Sequence, residues 1–454
     1  MPVAFDGFLH AARAARSHLF SRSTPIIAAR APGWIDFLGG AAAGGCLALG
    51  RPLADSSFAA LQPTSEAILT VQVEGQEVRS LPLGELRDRD GWPYAYAEVA
   101  PRIADQPVEV QLAATVWLAL LREEFMRPPA GARLLLRPTQ GPGGNVSLLT
   151  AIAQALVTAF EVRLPARELA LACRIAATQI LAAPLNALGP MTCVGAPAGE
   201  LLMLHQQPAW HWGNLHLPPG TAIWALQVGD GSKPIAAEAR TAAHMAYRML
   251  VEAADMSENE AAARWNGYLS RIDSATFRRR YHGLLPEHLS GAAFLARYTD
   301  TDLDVNPHAQ YSIRAAGALP IEEHLRTRTI VALLRAAASK SQRDDDLRLI
   351  GEYLFQSHWA QSDAGIADRH ADALVEQIEA AGFDSGLYGA RLPAAECGAT
   401  LVVLGRSDAE AVLAQIGLTY ARTSGSAVVL YGGSAPGCNP AARAQLSDTI
   451  YEEI

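Results

Sequence analysis

Lysine is almost absent from this sequence of 454 residues. Only Lys233 and Lys340 occur, so nearly all of the 37 basic residues are arginines. Neither lysine follows a glycine, which excludes the Gly-x-x-x-x-Gly-Lys-[Ser/Thr] loop that many nucleotide-binding proteins use to hold phosphates. A phosphate site in this chain would need a different loop.

Closely spaced cysteine pairs are missing as well. The five cysteines are Cys46, Cys173, Cys193, Cys397 and Cys438, and no two of them form a C-x-x-C pair. This usage is typical of a reducing compartment rather than of a disulfide framework. The first twenty residues read as an amphipathic helix and lack the basic start and long apolar core of a signal peptide. No apolar run reaches the ~18 residues that span a bilayer. We therefore predict a cytoplasmic protein without a membrane partner.

The charge of the chain limits its possible partners, and its length limits its domain organisation. A net charge of −9 argues against nucleic acid as a partner. A chain of 454 residues is longer than one ordinary core, which predicts two domains. We place the boundary in the segment HLPPGT, near Pro218, which gives domains 1–217 and 218–454.

Hydrophobic periodicity predicts an α+β fold. The N-terminal half alternates period-two strands with helices, and residues 241–381 show mainly the three-four spacing of helices. The end of the chain reads as strand, helix and strand, which suggests a ferredoxin-like half.

A glycine-rich turn in the segment QGPGGNVS is the strongest candidate for an anion site. Gly141, Gly143 and Gly144 lie between a predicted strand and a helix that starts near Ser147. Exposed amides and the helix dipole favour phosphate at such a place. The alternative is a tight turn that only needs left-handed backbone. For Ser147 we expect the helix N-cap rather than a magnesium ligand.

The histidines do not form a recognisable metal motif. His205, His211 and His216 lie close together in the sequence, but their spacing matches no common zinc pattern. We predict no metal site here.

Three segments, in order, resemble the motifs of the GHMP kinases, and within them the sugar 1-kinases of the L-arabinokinase and galactokinase type. ARAPGWIDFLGG is similar to the first motif, QGPGGNVSLLTA stands where the phosphate loop belongs, and GLYGARLPAAECGATLVVLG is similar to the third motif. The resemblance covers nearly the whole chain. It implies a two-domain α+β fold, with an N-terminal α/β domain and a ferredoxin-like C-terminal domain with added helices.

The same resemblance shows where this sequence departs from the family. Trp34 stands at the arginine position, Gly189 at the position of the catalytic aspartate, and Ala177 at the position of the magnesium glutamate. The resemblance therefore implies no catalytic residue and no metal ligand at these positions, although such kinases need a carboxylate, a metal and a cation around the transferred phosphoryl group.

The binding motifs are altered too. The sugar site of the family would correspond to Asp36, Gly39, Gly40 and Ala43, where Ala43 replaces an aspartate. The phosphate loop keeps Gly141, Gly143, Gly144 and Ser147. In the third motif Pro393 removes an amide, Glu396 brings a negative charge and Gly398 remains.

These losses predict a pseudokinase, with a ligand-binding, regulatory or partner-binding role and no cofactor. The expected partners are a small sugar-like ligand or a protein such as an active paralogue. Two alternatives stay open. One is an ATP- and magnesium-dependent sugar 1-kinase whose catalytic groups have moved, with Asp36, Ser147, Asp363 and Asp368 as substitutes. The other is a repurposed enzyme in which Glu396 acts as acid or base, against the simpler interpretation of an exposed loop carboxylate.

Overall fold

The computed structural model describes most of the chain. The described residues are 3–40, 45–123, 125–126, 131–180, 186–229, 237–298, 304–340, 343–393, 397, 399–438, 443–446 and 451–453. Three predicted site residues, Ala43, Glu396 and Gly398, lie outside them. Within the described part, no helix combines the length and the apolar character that crossing a membrane requires.

Helices contribute the larger share of the regular structure. The α-helices are α1 (Val3–Ala14), α2 (Tyr96–Ile103), α3 (Val108–Arg122), α4 (Gly144–Ala159), α5 (Ala166–Ile180), α6 (Leu188–Gly195), α7 (Ala237–Ala253), α8 (Glu258–Trp265), α9 (Ser274–Thr276), α10 (Gly291–Leu295), α11 (Ile313–Ser339), α12 (Asp344–Asp363), α13 (Arg369–Ala381) and α14 (Glu410–Ser424). Short 3-10 turns lie at Ala15–Ser17, Leu83–Glu85, Leu269–Arg271, His282–Leu284 and Phe383–Ser385, and a π-helical turn lies at Phe277–Tyr281.

Strands form the remaining regular elements. They are β1 (Ile26–Leu38), β2 (Leu47–Pro63), β3 (Ile68–Val73), β4 (Arg79–Pro82), β5 (Ala132–Arg137), β6 (Glu200–His205), β7 (Trp210–His216), β8 (Thr221–Val228), β9 (Leu289–Ser290), β10 (Gln310–Tyr311), β11 (Leu387–Arg391), β12 (Thr400–Arg406), β13 (Val428–Tyr431), β14 (Arg443–Leu446) and β15 (Tyr451–Glu453).

The first compact unit comprises residues 1–34, 51–199 and 434–454. Its strands follow the order β15-β14-β1-β2-β5-β3-β4, and β3 runs parallel to β5. The amphipathic pattern of the first residues predicts a helix, and the structure places this helix, α1, on the sheet. Its Phe5 and Phe8 stack on Phe58 of β2 at centroid distances of 5.7 and 5.4 Å. Burial of these rings removes apolar area from water and holds α1 in place.

The second compact unit comprises residues 35–50 and 200–433. It contains an antiparallel four-stranded sheet in the order β11-β12-β8-β13, against which α13 and α14 pack. This arrangement confirms the predicted strand–helix–strand end of the chain. A separate core joins α7, α8, α10 and α11, and the start of β2 pairs with β6, which pairs with β7.

The two compact units do not follow a single cut in the sequence. Residues 35–50 join the second unit because the start of β2 pairs with β6. The terminal segment from Ser434 joins the first unit because β14 pairs with β1. The division into domains 1–217 and 218–454 stays a prediction.

Candidate functional site

The glycine-rich turn lies between β5 and α4, as the sequence predicts. Gly143 caps α4 with a φ of +69°, a conformation that favours glycine. Thr139 organises the turn. Its amide donates to Ser57 Oγ at 3.0 Å, and its hydroxyl accepts from the Gly141 amide at 3.0 Å and donates to Asp55. Hydrogen bonds within the first unit therefore fix this loop.

Ser147 has a different role from the one that we predict. The helix α4 begins at Gly144, so the N-cap is Gly143 and Ser147 lies inside the first turn. Its hydroxyl is completely buried, donates to the Ala31 carbonyl at 2.8 Å and accepts from the Ser57 amide at 3.2 Å. The N-cap prediction is wrong because the N-cap is Gly143, a glycine in left-handed conformation four residues before Ser147. In this position Ser147 ties α4 to β1 and β2.

Trp34 lies at the centre of the altered motifs in the first unit. The side chain is completely buried. A Cβ atom added to Gly143 would lie 2.2 Å from its Cδ1, and a Cβ added to Gly189 would lie 2.5 Å from its Cζ2. Real Cβ atoms do not approach so closely, so the indole uses the room that two absent side chains leave. The replacements at positions 34 and 189 are therefore spatially coupled.

Ala177 lies buried within α5. A methyl side chain has no atom that can bind a metal ion. In the part of the chain that the structure describes, no group of three or more histidines, cysteines and acidic residues is arranged to hold a metal.

Asp36 is buried in the second unit, and each oxygen of its carboxylate already has a partner. Oδ1 accepts from the Gly40 amide at 2.9 Å, and Oδ2 lies 3.3 Å from Nη1 of Arg391. Both side chains are completely buried. A carboxylate that is held in this way is not available to grip sugar hydroxyls without breaking a buried ion pair.

Arg391 is the hub of this buried network. Its Nε donates to Ser357 Oγ at 2.9 Å, and its Nη2 donates to Glu323 Oε1 at 3.3 Å. Nη1 also donates to the backbone carbonyls of Asp36 and Phe37 at 3.4 and 3.1 Å. All three nitrogens of the guanidinium thus have partners, which is how a buried arginine is tolerated.

Glu323 and Ser357 were not predicted from the sequence. Glu323 is nearly fully buried, accepts from Ser357 at 2.8 Å and pairs with Arg326 at 2.9 Å. The sequence feature that could have drawn attention to Glu323 is its place on the apolar side of α11, three residues before an arginine. Such a carboxylate needs a buried partner, and that rule could have indicated the network although not its members.

The glycines of the predicted sugar site have structural roles. Gly39 has a φ of +86°, and a Cβ there would lie 2.3 Å from the Leu47 carbonyl. A Cβ on Gly40 would lie 2.7 Å from Cγ of Asp36. Both positions therefore require glycine to keep the chain close to β2 and to the Asp36 carboxylate.

The Tyr-Gly-Ala-Arg start of the third motif lies in β11. Gly389 lies against Gly351 of α12, and a Cβ on Gly351 would lie 1.9 Å from the Tyr388 carbonyl. Beyond the strand, the Cys397 sulfur accepts from the Asp36 amide at 3.4 Å. The Tyr-Gly-Ala-Arg sequence thus allows close helix–strand packing and supplies the arginine of the buried network.

The substitute carboxylates of the alternative interpretation lie in ordinary helix positions. Asp368 is the N-cap of α13 and accepts from the amides of His370 and Ala371. Asp363 is exposed at the end of α12. Neither the N-cap Asp368 nor the exposed Asp363 is placed as a magnesium ligand would be. The third candidate, the Asp36 carboxylate, is held by Arg391.

Comparisons with known proteins agree with this architecture. The family model described as GHMP kinases C terminal matches residues 330–422. L-arabinokinase of Arabidopsis thaliana is 26% identical in an alignment that covers 94% of this chain and 47% of that protein. The chain therefore spans less than half the length of this relative.

Solved structures show the fold. Galactokinase of Lactococcus lactis in complex with galactose aligns with a TM-score of 0.70 and 14% identity over 97% of this chain and 100% of that chain. Mevalonate kinase of Methanococcus jannaschii aligns with a TM-score of 0.53 and 11% identity over 90% of this chain and 98% of that chain. The chain has the fold of the GHMP kinases. The family model, the arabinokinase relative and this fold together support its recognition as a GHMP sugar-kinase homologue.

Proposed function

We propose that this GHMP sugar-kinase homologue is a pseudokinase, which binds a ligand or a partner protein without transferring phosphate. The observation that carries the proposal is the packing of the Trp34 indole against Gly143 and Gly189. By resemblance to the family, an arginine and an aspartate would stand at positions 34 and 189. One apolar ring supplies neither the positive charge nor the proton acceptor that phosphoryl transfer uses.

The second support is the state of Asp36. In the kinase alternative, Asp36 is one of the substitutes that could bind magnesium, yet it pairs with Arg391 in a completely buried contact. Removal of Asp36 from that pair would leave a buried guanidinium short of a partner, which is costly. We therefore infer that the network maintains the fold and does not take part in a reaction. No cofactor belongs to this function, and we propose a cytoplasmic location.

The proposal is tested by binding and turnover together. Thermal unfolding is measured with Mg-ATP, with arabinose and galactose, and with their 1-phosphates, because a ligand of the native state raises the melting temperature. Sugar-dependent release of ADP is measured in parallel, with Lactococcus lactis galactokinase as the positive control. We expect no turnover with either sugar. An ATP-dependent shift accompanied by turnover of any sugar would contradict the pseudokinase and favour a kinase with relocated catalytic groups.

A reversal variant sharpens the test. Trp34→Arg combined with Gly189→Asp restores both residue types that the family resemblance implies at these positions. We expect the double variant to stay inactive as well, because Ala177 still lacks a carboxylate for magnesium. Sugar phosphorylation by the variant but not by the parent chain would support the assignment of both positions. Phosphorylation by both would exclude a pseudokinase.

A further inference from the structure

Two histidines of the second unit, His205 and His324, both lie next to Leu47. Leu47 of β2 is the cross-strand partner of His205 of β6. The Leu47 amide also donates to Nδ1 of His324, at 3.3 Å. Because Nδ1 accepts this bond, the neutral His324 ring carries its proton on Nε2 and offers one N–H donor. The backbone of β2 thus sets the tautomer of His324 beside His205.

Two arginines flank these rings. Arg271 ends the 3-10 turn Leu269–Arg271 and donates to the Gln207 carbonyl at 3.5 Å, two residues beyond His205. Arg328 lies four residues after His324 in α11, so the two share one helix face. Both arginines are exposed. Among the described residues, neither forms an ion pair with a carboxylate.

The charges that act on the two rings are all positive. Burial lowers the pKa of His205, and the charge of Arg271 adds to this effect. Burial also lowers the pKa of His324 to about 4, with Arg328 as the next cause. The lowered pKa values favour the neutral form of both rings, and the arginine charges that act on both are those of Arg271 and Arg328.

We propose that His205, Arg271, His324 and Arg328, the basic cluster, bind the phosphate group of a small phosphate monoester. A phosphate monoester carries about −1.5 to −2 charges at pH 7, which matches two arginines. Guanidinium groups bind phosphate oxygens through paired N–H donors, and neutral imidazoles add single donors. The site lies within the second unit, so it does not depend on the proposal about Trp34.

Isothermal titration calorimetry tests this site. Galactose 1-phosphate, inorganic phosphate and galactose are titrated into the full chain at a fixed ionic strength of about 0.15 M, where long-range attraction is screened. We expect binding of galactose 1-phosphate, and no binding of galactose at the cluster. Inorganic phosphate distinguishes the source, because a site for the free ion binds it at least as well as the ester.

Matched arginine variants locate the site. The double variant R271Q/R328Q is expected to weaken phosphate binding by about tenfold or more, because charge-assisted contacts are lost. Arg264→Gln changes an exposed arginine of α8 and is expected to leave the affinity unchanged. Equal circular dichroism spectra and melting temperatures establish that the variants fold. The proposal is overturned if neither phosphate compound binds, if R271Q/R328Q binds as tightly as the parent chain, or if R264Q weakens binding equally.

Discussion

Arg391 and Asp36 lie 355 positions apart in the sequence and form an ion pair of 3.3 Å with both side chains completely buried. The pair lies inside the second unit, and Glu323 and Ser357 complete the coordination of the guanidinium. Charges of this kind are tolerated only when each has a partner. Removal of one partner is therefore a sensitive probe of the network.

We predict that Asp36→Asn lowers the free energy of unfolding by about 3–5 kcal/mol, because Arg391 loses one of its two buried carboxylates. Urea unfolding followed by circular dichroism measures the change. The control is Asp408→Asn, which breaks the exposed pair with Arg406. That change should cost at most about 1 kcal/mol. Equal effects of the two substitutions would mean that the buried pair does not hold the fold.

Periodicity predicted the strand before α4 and the strand–helix–strand end of the chain, because these features are local. The left-handed turn was the alternative to an anion site in the glycine-rich segment. The fold class, recognised from three separated motifs, is supported by the comparisons. The predicted N-cap role of Ser147 was wrong because the start of α4 depends on the φ of Gly143, which the residue types alone do not determine.

The contacts of the site depend on the tertiary structure, so they could not be predicted from the sequence. Nothing near Trp34 in the chain indicates that its ring packs against Gly189, since the two residues are far apart in sequence. The motif resemblance identified both as replaced positions without showing that they touch. Likewise, Arg391 was recognised as part of a motif, but its partners come from β1, α11 and α12.

A double-mutant cycle tests the contact between Trp34 and Gly189. Gly189→Ala should destabilise the parent chain by about 1–3 kcal/mol, because its Cβ would lie 2.5 Å from the indole. In a Trp34→Ala background the same change should be neutral or stabilising, since alanine favours a helix over glycine by about 0.5–1 kcal/mol. Urea unfolding of the four proteins gives the coupling energy.

The control for that cycle lies in the same helix. Gly195 ends α6, and a Cβ added there would meet nothing within 4 Å. Gly195→Ala should therefore change stability equally in the parent chain and in the Trp34→Ala background. A coupling energy for Gly189 that is no larger than the one for Gly195 would contradict the packing of the indole.

A third prediction follows from the close packing of α12 against β11 at Gly351 and Tyr388. Gly351→Ala should destabilise the protein by about 3 kcal/mol or more, because its Cβ would lie 1.9 Å from the Tyr388 carbonyl and backbone must move. Gly7→Ala, in α1, is the matched control. Its Cβ would meet only Nη1 of Arg137 at 4.0 Å, so the substitution should stabilise the protein by about 0.5–1 kcal/mol. Thermal unfolding of both variants measures the contrast, and a Gly351→Ala protein as stable as the parent would refute the close approach.

His358 makes the stability of the second unit dependent on pH. The ring is fully buried and bonds to Asp372 at 3.1 Å, and burial lowers the pKa of His358 to about 4 in spite of that carboxylate. The unfolded chain, with its ordinary value of 6.5, then binds more protons than the native chain between these values. Stability is therefore full above pH 6.5 and falls as the pH drops toward 4, by about 2 kcal/mol between pH 6.5 and 5. Urea unfolding at both pH values should show a smaller loss for His358→Gln than for the parent chain. Equal losses in the two proteins would show that His358 is not held neutral by the fold.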